Sequence, residues 1–169
     1  MGFEILVLPG FLHSLAVAVY LGGTVFLGAV LIPVLRRRGP DAEGLQLLAG
    51  VLRIFHPVSL ACLGLLVLTG AVSLTPLKES LGPEYVPRLF GVLALKLLLV
   101  FILIMVSSYQ FFALGPRFLR ALPAEEETRG GVPSPQGIQL VQRLQRWNLV
   151  AVALGLFIVY LGVWMGHIG

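Results

Sequence analysis

The chain has 169 residues, of which 57% are hydrophobic and only 12% charged, with a net charge of +4. An ordinary soluble domain carries about 25% charged residues, so this composition excludes one and points to a membrane protein. The single cysteine, Cys62, excludes an intramolecular disulfide. Four apolar runs then follow in order, at Phe11–Leu35, Ile54–Leu74, Leu89–Leu114 and Trp147–Met165. Each is about 20 residues or longer, enough to cross a hydrocarbon core of ~30 Å as a helix.

Pro9 and Gly10 precede the first run, and Pro33 falls in its last turn, just before the triplet Arg36, Arg37, Arg38. The run is too long for a signal-peptide core and is followed by no small-residue cleavage site, so it is expected to stay as a helix. The segment 38–50 reads as a short polar connection with an amphipathic turn through Leu45, Leu47 and Leu48. Helix 2 is expected to start shortly before Pro57, which suits a first turn, and to end at Thr75-Pro76. An outer loop through Pro83 and Pro87 carries Tyr85 as an interfacial anchor. Gly115-Pro116 stops helix 3, and residues from about 121 to 139 read as a flexible loop. Gln139–Arg146 leads amphipathically into helix 4, with Trp147 and Trp164 at opposite membrane interfaces.

Nine of the 12 Lys and Arg residues fall in the two loops after helices 1 and 3: Arg36, Arg37, Arg38 and Arg53, then Arg117, Arg120, Arg129, Arg143 and Arg146. The positive-inside rule makes that side cytoplasmic and places both termini outside, in a bacterial-type inner membrane. The same rule accounts for the positive charge without nucleic acid as a partner. The expected fold is all-α, one integral membrane domain built as an antiparallel four-helix transmembrane bundle. Its partners are the lipid bilayer and either other membrane subunits or further copies of the chain.

Polarity within the spans collects on faces. Helix 1 aligns His13, Tyr20, Thr24 and Gly28; helix 2 aligns His56, Ser59 and Gly70. Helix 3 aligns Lys96, Ser107 and Gln110; helix 4 aligns Asn148, Gly155, Gly162 and Gly166. Such faces let helices approach and hydrogen-bond in lipid, which predicts that they point inward. Lys96 either snorkels to the headgroups or turns into the bundle to meet an anionic group.

His13 and His56 lie near opposite faces of the membrane, and His167 returns to the side of His13. No Cys/His cluster has metal-ligand spacing, and Met1, Met105 and Met165 form no copper track. A haem needs only one or two imidazoles within apolar walls, with a basic group such as Lys96 for its propionates. Haem b on His13, Lys96 and His56 is therefore the first expectation. Copper at His13, His56 and His167 is the alternative. No Ser/His/Asp set, paired carboxylates or phosphate-cradling loop marks a hydrolytic site.

The stretch Leu12-His13-Ser14-Leu15-Ala16 with Gly22-Gly23, Pro33 and the Arg triplet resembles the first helix of the copper-resistance-D (CopD) family. Leu63–Gly70, ending Leu-Thr-Gly, is similar to that family's second helix, Gly91–Val100 with Lys96 to its third, and Arg143–Gly155 loosely to its fourth. The resemblance implies a four-span membrane fold and copper handling. The pattern is also similar to HemJ-type protoporphyrinogen oxidases, which implies b-type haem at His13 and Lys96. Where that group often carries a histidine near the end of helix 3, this chain has Gln110. Three functions follow as expectations: a haem-binding electron-transfer subunit, a copper-binding or copper-transporting protein, and a cofactor-free structural subunit.

Overall fold

The structure, a computed structural model, describes the backbone of residues 2–38, 42–81, 85–117, 120 and 135–168. Side chains are described for 7–37, 43–72, 91–117, 120 and 137–164. Every element found is helical. Helix α1 is built from Gly2–Val25, a π-helical stretch Phe26–Leu31 and Ile32–Arg38. Helix α2 is Ala42–Leu81. Helix α3 is Tyr85–Tyr109, followed by a π-helical turn Gln110–Leu114 and helical residues to Arg117. Helix α4 is Pro135–Ile168.

All four are long and apolar enough to cross a membrane, over Val7–Arg37, Glu43–Val72, Gly91–Arg117 and Gly137–Trp164. In the most apolar 18-residue window of each span only 17 to 33% of the residues are buried inside the bundle. Large apolar side chains such as Leu68, Phe101, Phe112 and Tyr160 face outward. A helix apolar all round needs a hydrocarbon solvent, and acyl chains are that solvent.

The helices run further than the prolines and polar segments suggest. Pro9 lies inside α1 rather than before it. Segment 42–53 is the beginning of α2, so Pro57 sits well within that helix, which also continues past Thr75-Pro76 to Leu81. In water a proline ends a helix because the freed carbonyl is solvated. In lipid an unravelled backbone has no partner, so the helix continues and loses one bond. Residues 121–134, most of the expected flexible loop, lie outside the described residues; 135–139 are the start of α4. Tyr85, Met165, Gly166 and His167 have side chains outside the described set.

Contacts fix the topology. His13, early in α1, meets Thr69, late in α2. Lys96, early in α3, lies against Gly162, late in α4. Neighbours are therefore antiparallel and both chain ends share one end of the bundle. Helix α1 packs on α2 and α4, α3 packs on α4, and the α2–α3 side is the lightest. Seven described arginines (Arg36, Arg37, Arg53, Arg117, Arg120, Arg143, Arg146) are exposed at the opposite end, hereafter the arginine end.

Two apolar clusters tie the helices together. The waist comprises Tyr20, Leu63, Leu103, Val106 and Ala151, with Cys62 packed against it. The collar, at the arginine end, is Leu27 and Ile32 from α1, Leu45, Leu48, Ala49 and Leu52 from α2, Leu114 from the α3 turn, and Val141 and Leu144 from α4. Leu48 is 0% and Ile32 1% exposed, the largest fully buried side chains among the described residues. Trp147 and Trp164 are both partly exposed and 17 positions apart, about 25 Å along the helix, a spacing that suits two interfacial anchors.

Candidate functional site at the termini end

The inward faces expected in α1 to α4 are inward. Tyr20, Thr24, His56, Ser59, Ser107, Gln110 and Asn148 are all buried. In hydrocarbon a polar side chain is stabilised only by another polar group, and α1 supplies partners to all three other helices. The Tyr20 and Ser107 hydroxyls share a hydrogen bond of 2.9 Å between α1 and α3. Asn148 of α4 donates its amide to the Thr24 carbonyl. Gln145 donates to the Gly28 carbonyl at 3.4 Å and accepts from Arg36 at 2.9 Å. The Gln145–Gly28 bond reaches the π-helical stretch of α1, where the normal ladder is interrupted and a carbonyl becomes available to a neighbour.

The site itself is built around His13. Its Nδ1 lies 2.8 Å from the Thr69 hydroxyl. That hydroxyl has one proton, which it donates to the Leu65 carbonyl at 2.7 Å in its own helix. With its proton on the Leu65 carbonyl, the Thr69 oxygen can accept from the imidazole, the arrangement in which Nδ1 carries the proton and Nε2 a lone pair. A Cβ on Gly70 would stand 3.8 Å from His13 Cε1, so the glycine gives the ring its room against α2. Lys96 is half-buried and points at α4: its Nζ would be 3.3 Å from a Cβ on Gly162. Lys96 is thus turned into the bundle, and the two groups share the termini end.

The other expected ligands are not brought there. His56 sits on α2 13 positions from Thr69, about 20 Å along the helix axis. It packs edge-on to Phe111 with ring centroids 5.9 Å apart, and its Nδ1 lies against Gly115. His167 falls outside the described side chains. Met105 faces outward, and Cys62 is half-buried beside the waist. Among the described residues no three His, Cys, Asp or Glu side chains converge where a metal ion could be held. One imidazole with a nearby ammonium does not make a closed, resident copper site, whose ligands would be several imidazoles or soft sulfurs.

Thr69 as the partner of His13 was not identified from the sequence: it stands next to Gly70 but was not on the inward face expected of that helix, which was His56, Ser59 and Gly70. Its signal was the spacing from Leu65 and Leu66, which lets a threonine hydroxyl bond back to its own helix and present its lone pairs outward. Gln145 was missed because the segment before Trp147 reads as a lead-in rather than as bundle.

Comparison with curated proteins and with solved structures finds no match. The family model described as copper resistance protein D, CopD, matches residues 49–165, which takes in α2, α3 and α4 with Thr69 and Lys96 but not His13. With more than half of its length matched and four membrane-spanning helices in the arrangement described, the chain belongs to the copper resistance protein D family.

Proposed function

We propose that this protein handles copper at the membrane, with His13 as the group that receives the ion at the termini end. The carrying observation is the Thr69 bond, which ties the His13 ring to α2 through Nδ1, in a chain whose family is named for copper resistance. Copper is cargo in this reading. A single oriented imidazole binds weakly, and the Lys96 charge weakens it further. A transit station must release as well as bind, so weak ligation fits passage better than storage. His167 and Met165, close in sequence to the end of α4, would complete the station, and His56 would serve the exit. By the positive-inside rule the arginine end is cytoplasmic and the termini are outside, in a bacterial-type inner membrane. The largely outward-facing apolar surface accommodates lipid, another membrane subunit or a second copy.

One observation favours haem b as a second reading. Lys96 lies against Gly162 inside the bundle, at the same end as His13, where its ammonium suits an anionic group such as a propionate. The family match names copper, so copper leads. The likeness to protoporphyrinogen oxidases rests on His13 and Lys96 alone.

The test is metal analysis and an absorption spectrum of the purified chain in nanodiscs. The copper reading expects about one copper bound at micromolar concentration, lost in His13→Ala and kept in His56→Ala. A Soret band that shifts on reduction and disappears in His13→Ala would transfer the site to haem. Absence of both copper and chromophore leaves a cofactor-free structural subunit.

A further inference from the structure

The four helices repeat as two pairs. Helix α1 laid on α3, with Pro33 on Pro116, puts His13 on Lys96, Tyr20 on Leu103, Thr24 on Ser107 and Leu27 on Gln110. Helix α2 laid on α4, with Gly70 on Gly162, puts Leu52 on Leu144, His56 on Asn148 and Ser59 on Ala151. In every match after His13 on Lys96, buried residue falls on buried residue. The backbone repeats as well. Each first helix has a π-helical turn that ends two residues before its proline, closed by the Ile32 N–H on the Leu27 carbonyl in α1 and by the Gly115 N–H on the Gln110 carbonyl in α3. A proline has no N–H and its ring crowds the carbonyl four residues back, so the turn before it widens.

Contacts obey the same match. The His13 ring lies over Gly70, 3.8 Å from where a Cβ would stand, and Lys96 Nζ lies over Gly162 at 3.3 Å. Asn148 of the second pair sits on Gly28 of the first, and His56 of the first packs on Phe111 of the second. Gly28 matches Phe111, just as His56 matches Asn148. A contact that returns with its partners exchanged is the mark of a two-fold interface. Both pairs start from the termini end, so the axis runs along the membrane normal. It passes between α1 and α3, where Tyr20 bonds Ser107. His13 stands about two turns from Tyr20 on the same face of α1, and Lys96 about two turns from Leu103 on α3. Tyr20 and Leu103 both belong to the waist, so the imidazole and the ammonium issue from axis-facing sides at one level.

We propose that the protein is two equivalent helix pairs joined across this axis, and that Lys96, the counterpart of His13, is the residue that holds the termini-end station to a single imidazole. An ammonium has no lone pair for a metal ion, whereas imidazoles from both pairs would grip one ion between them. The second pair also lacks the tie that holds His13: Leu161 stands where Thr69 stands in the first. Lys96 thereby sets the affinity of the station, on the side of release. In this role it deepens the copper reading, on which it rests for the identity of the cargo but not for its place in the bundle.

The experiment uses the full chain in nanodiscs and zinc(II), a metal that a facing pair of imidazoles binds, titrated against a competing chelator. Lys96→Met is the control for the lost charge. Lys96→His should bind zinc roughly 100-fold more tightly than Lys96→Met, because the second imidazole acts at a high effective concentration. Adding His13→Ala should abolish the gain. A Lys96→His chain no tighter than Lys96→Met, or a gain that survives His13→Ala, overturns the proposal. Solid-state NMR reads the unmodified protein without any variant: the His13 ring should show a through-space contact to Lys96 Cε, and its absence also overturns the proposal. A wild type that binds no copper ends the copper reading and leaves the zinc result standing. A failed zinc result leaves copper binding at His13 untouched, so the two fail separately.

Discussion

At the scale of single residues, Thr69 has the most to say about His13. It anchors the imidazole from the second helix, and its hydroxyl also lies within bonding distance of the Leu65 carbonyl of that helix. Thr69→Val keeps the shape and removes the acceptor. Interhelical hydrogen bonds in membranes average about 0.6 kcal/mol, with a maximum of about 1.7, so unfolding in mixed micelles should show a loss within that range. Copper affinity should fall further, by roughly 10- to 100-fold, because the ring loses its orientation. Titration with a competing copper chelator checks the second figure; equal affinity in the valine variant would mean that Thr69 does not hold the ligand. Lys96 acts in the opposite direction. Lys96→Met removes a cationic neighbour, and copper binding at His13 should tighten by about fivefold, or ~1 kcal/mol. A haem with a propionate on Lys96 would instead bind less well, so the sign of this change separates the two readings.

At the scale of elements, α1 is the hub, and its π-helical stretch Phe26–Leu31 is held by α4. Gly28 lies within that stretch and is buried. A Cβ there would strike the Asn148 amide, which is bonded to Thr24, so the glycine is required by the close approach of the two helices. Gly28→Val should cost about 1–3 kcal/mol through overpacking, seen as a lower melting temperature in detergent. Asn148→Ala enlarges the space, so Gly28→Ala in that background should be milder than Gly28→Ala alone. Additive losses in the double variant would show that the two residues do not meet. Gly23 marks a similar approach on the other side, where an added Cβ would overlap the Phe55 ring of α2.

At the scale of the whole molecule, charge sets orientation and apolar packing sets closure. All seven described arginines stand at the collar end. A periplasmic-active reporter fused after Gly169 should be active and a cytoplasm-only reporter inactive, since both termini lie away from the arginines. The opposite pattern would reverse the proposed sides and with them the direction in which copper meets His13.

How much of this was legible depends on range. Four spans, their antiparallel order and the inward faces follow from runs of apolar residues and helical spacing, because a lipid solvent leaves the backbone one choice and penalises each stray polar group separately. Both are properties of a single helix and can be read along it. Helix ends were less legible: Pro9, Pro57 and Pro76 look like boundaries, yet the helices pass through them because stopping would strand more backbone than continuing. Only the tertiary structure decided that Thr69 is the partner of His13, 56 positions away, that Lys96 turns toward Gly162, and that segment 42–53 closes a collar with Leu114 and Leu144. Those outcomes depend on how far each helix is rotated and shifted against its neighbours, and that is set by packing between helices rather than by any pattern within one.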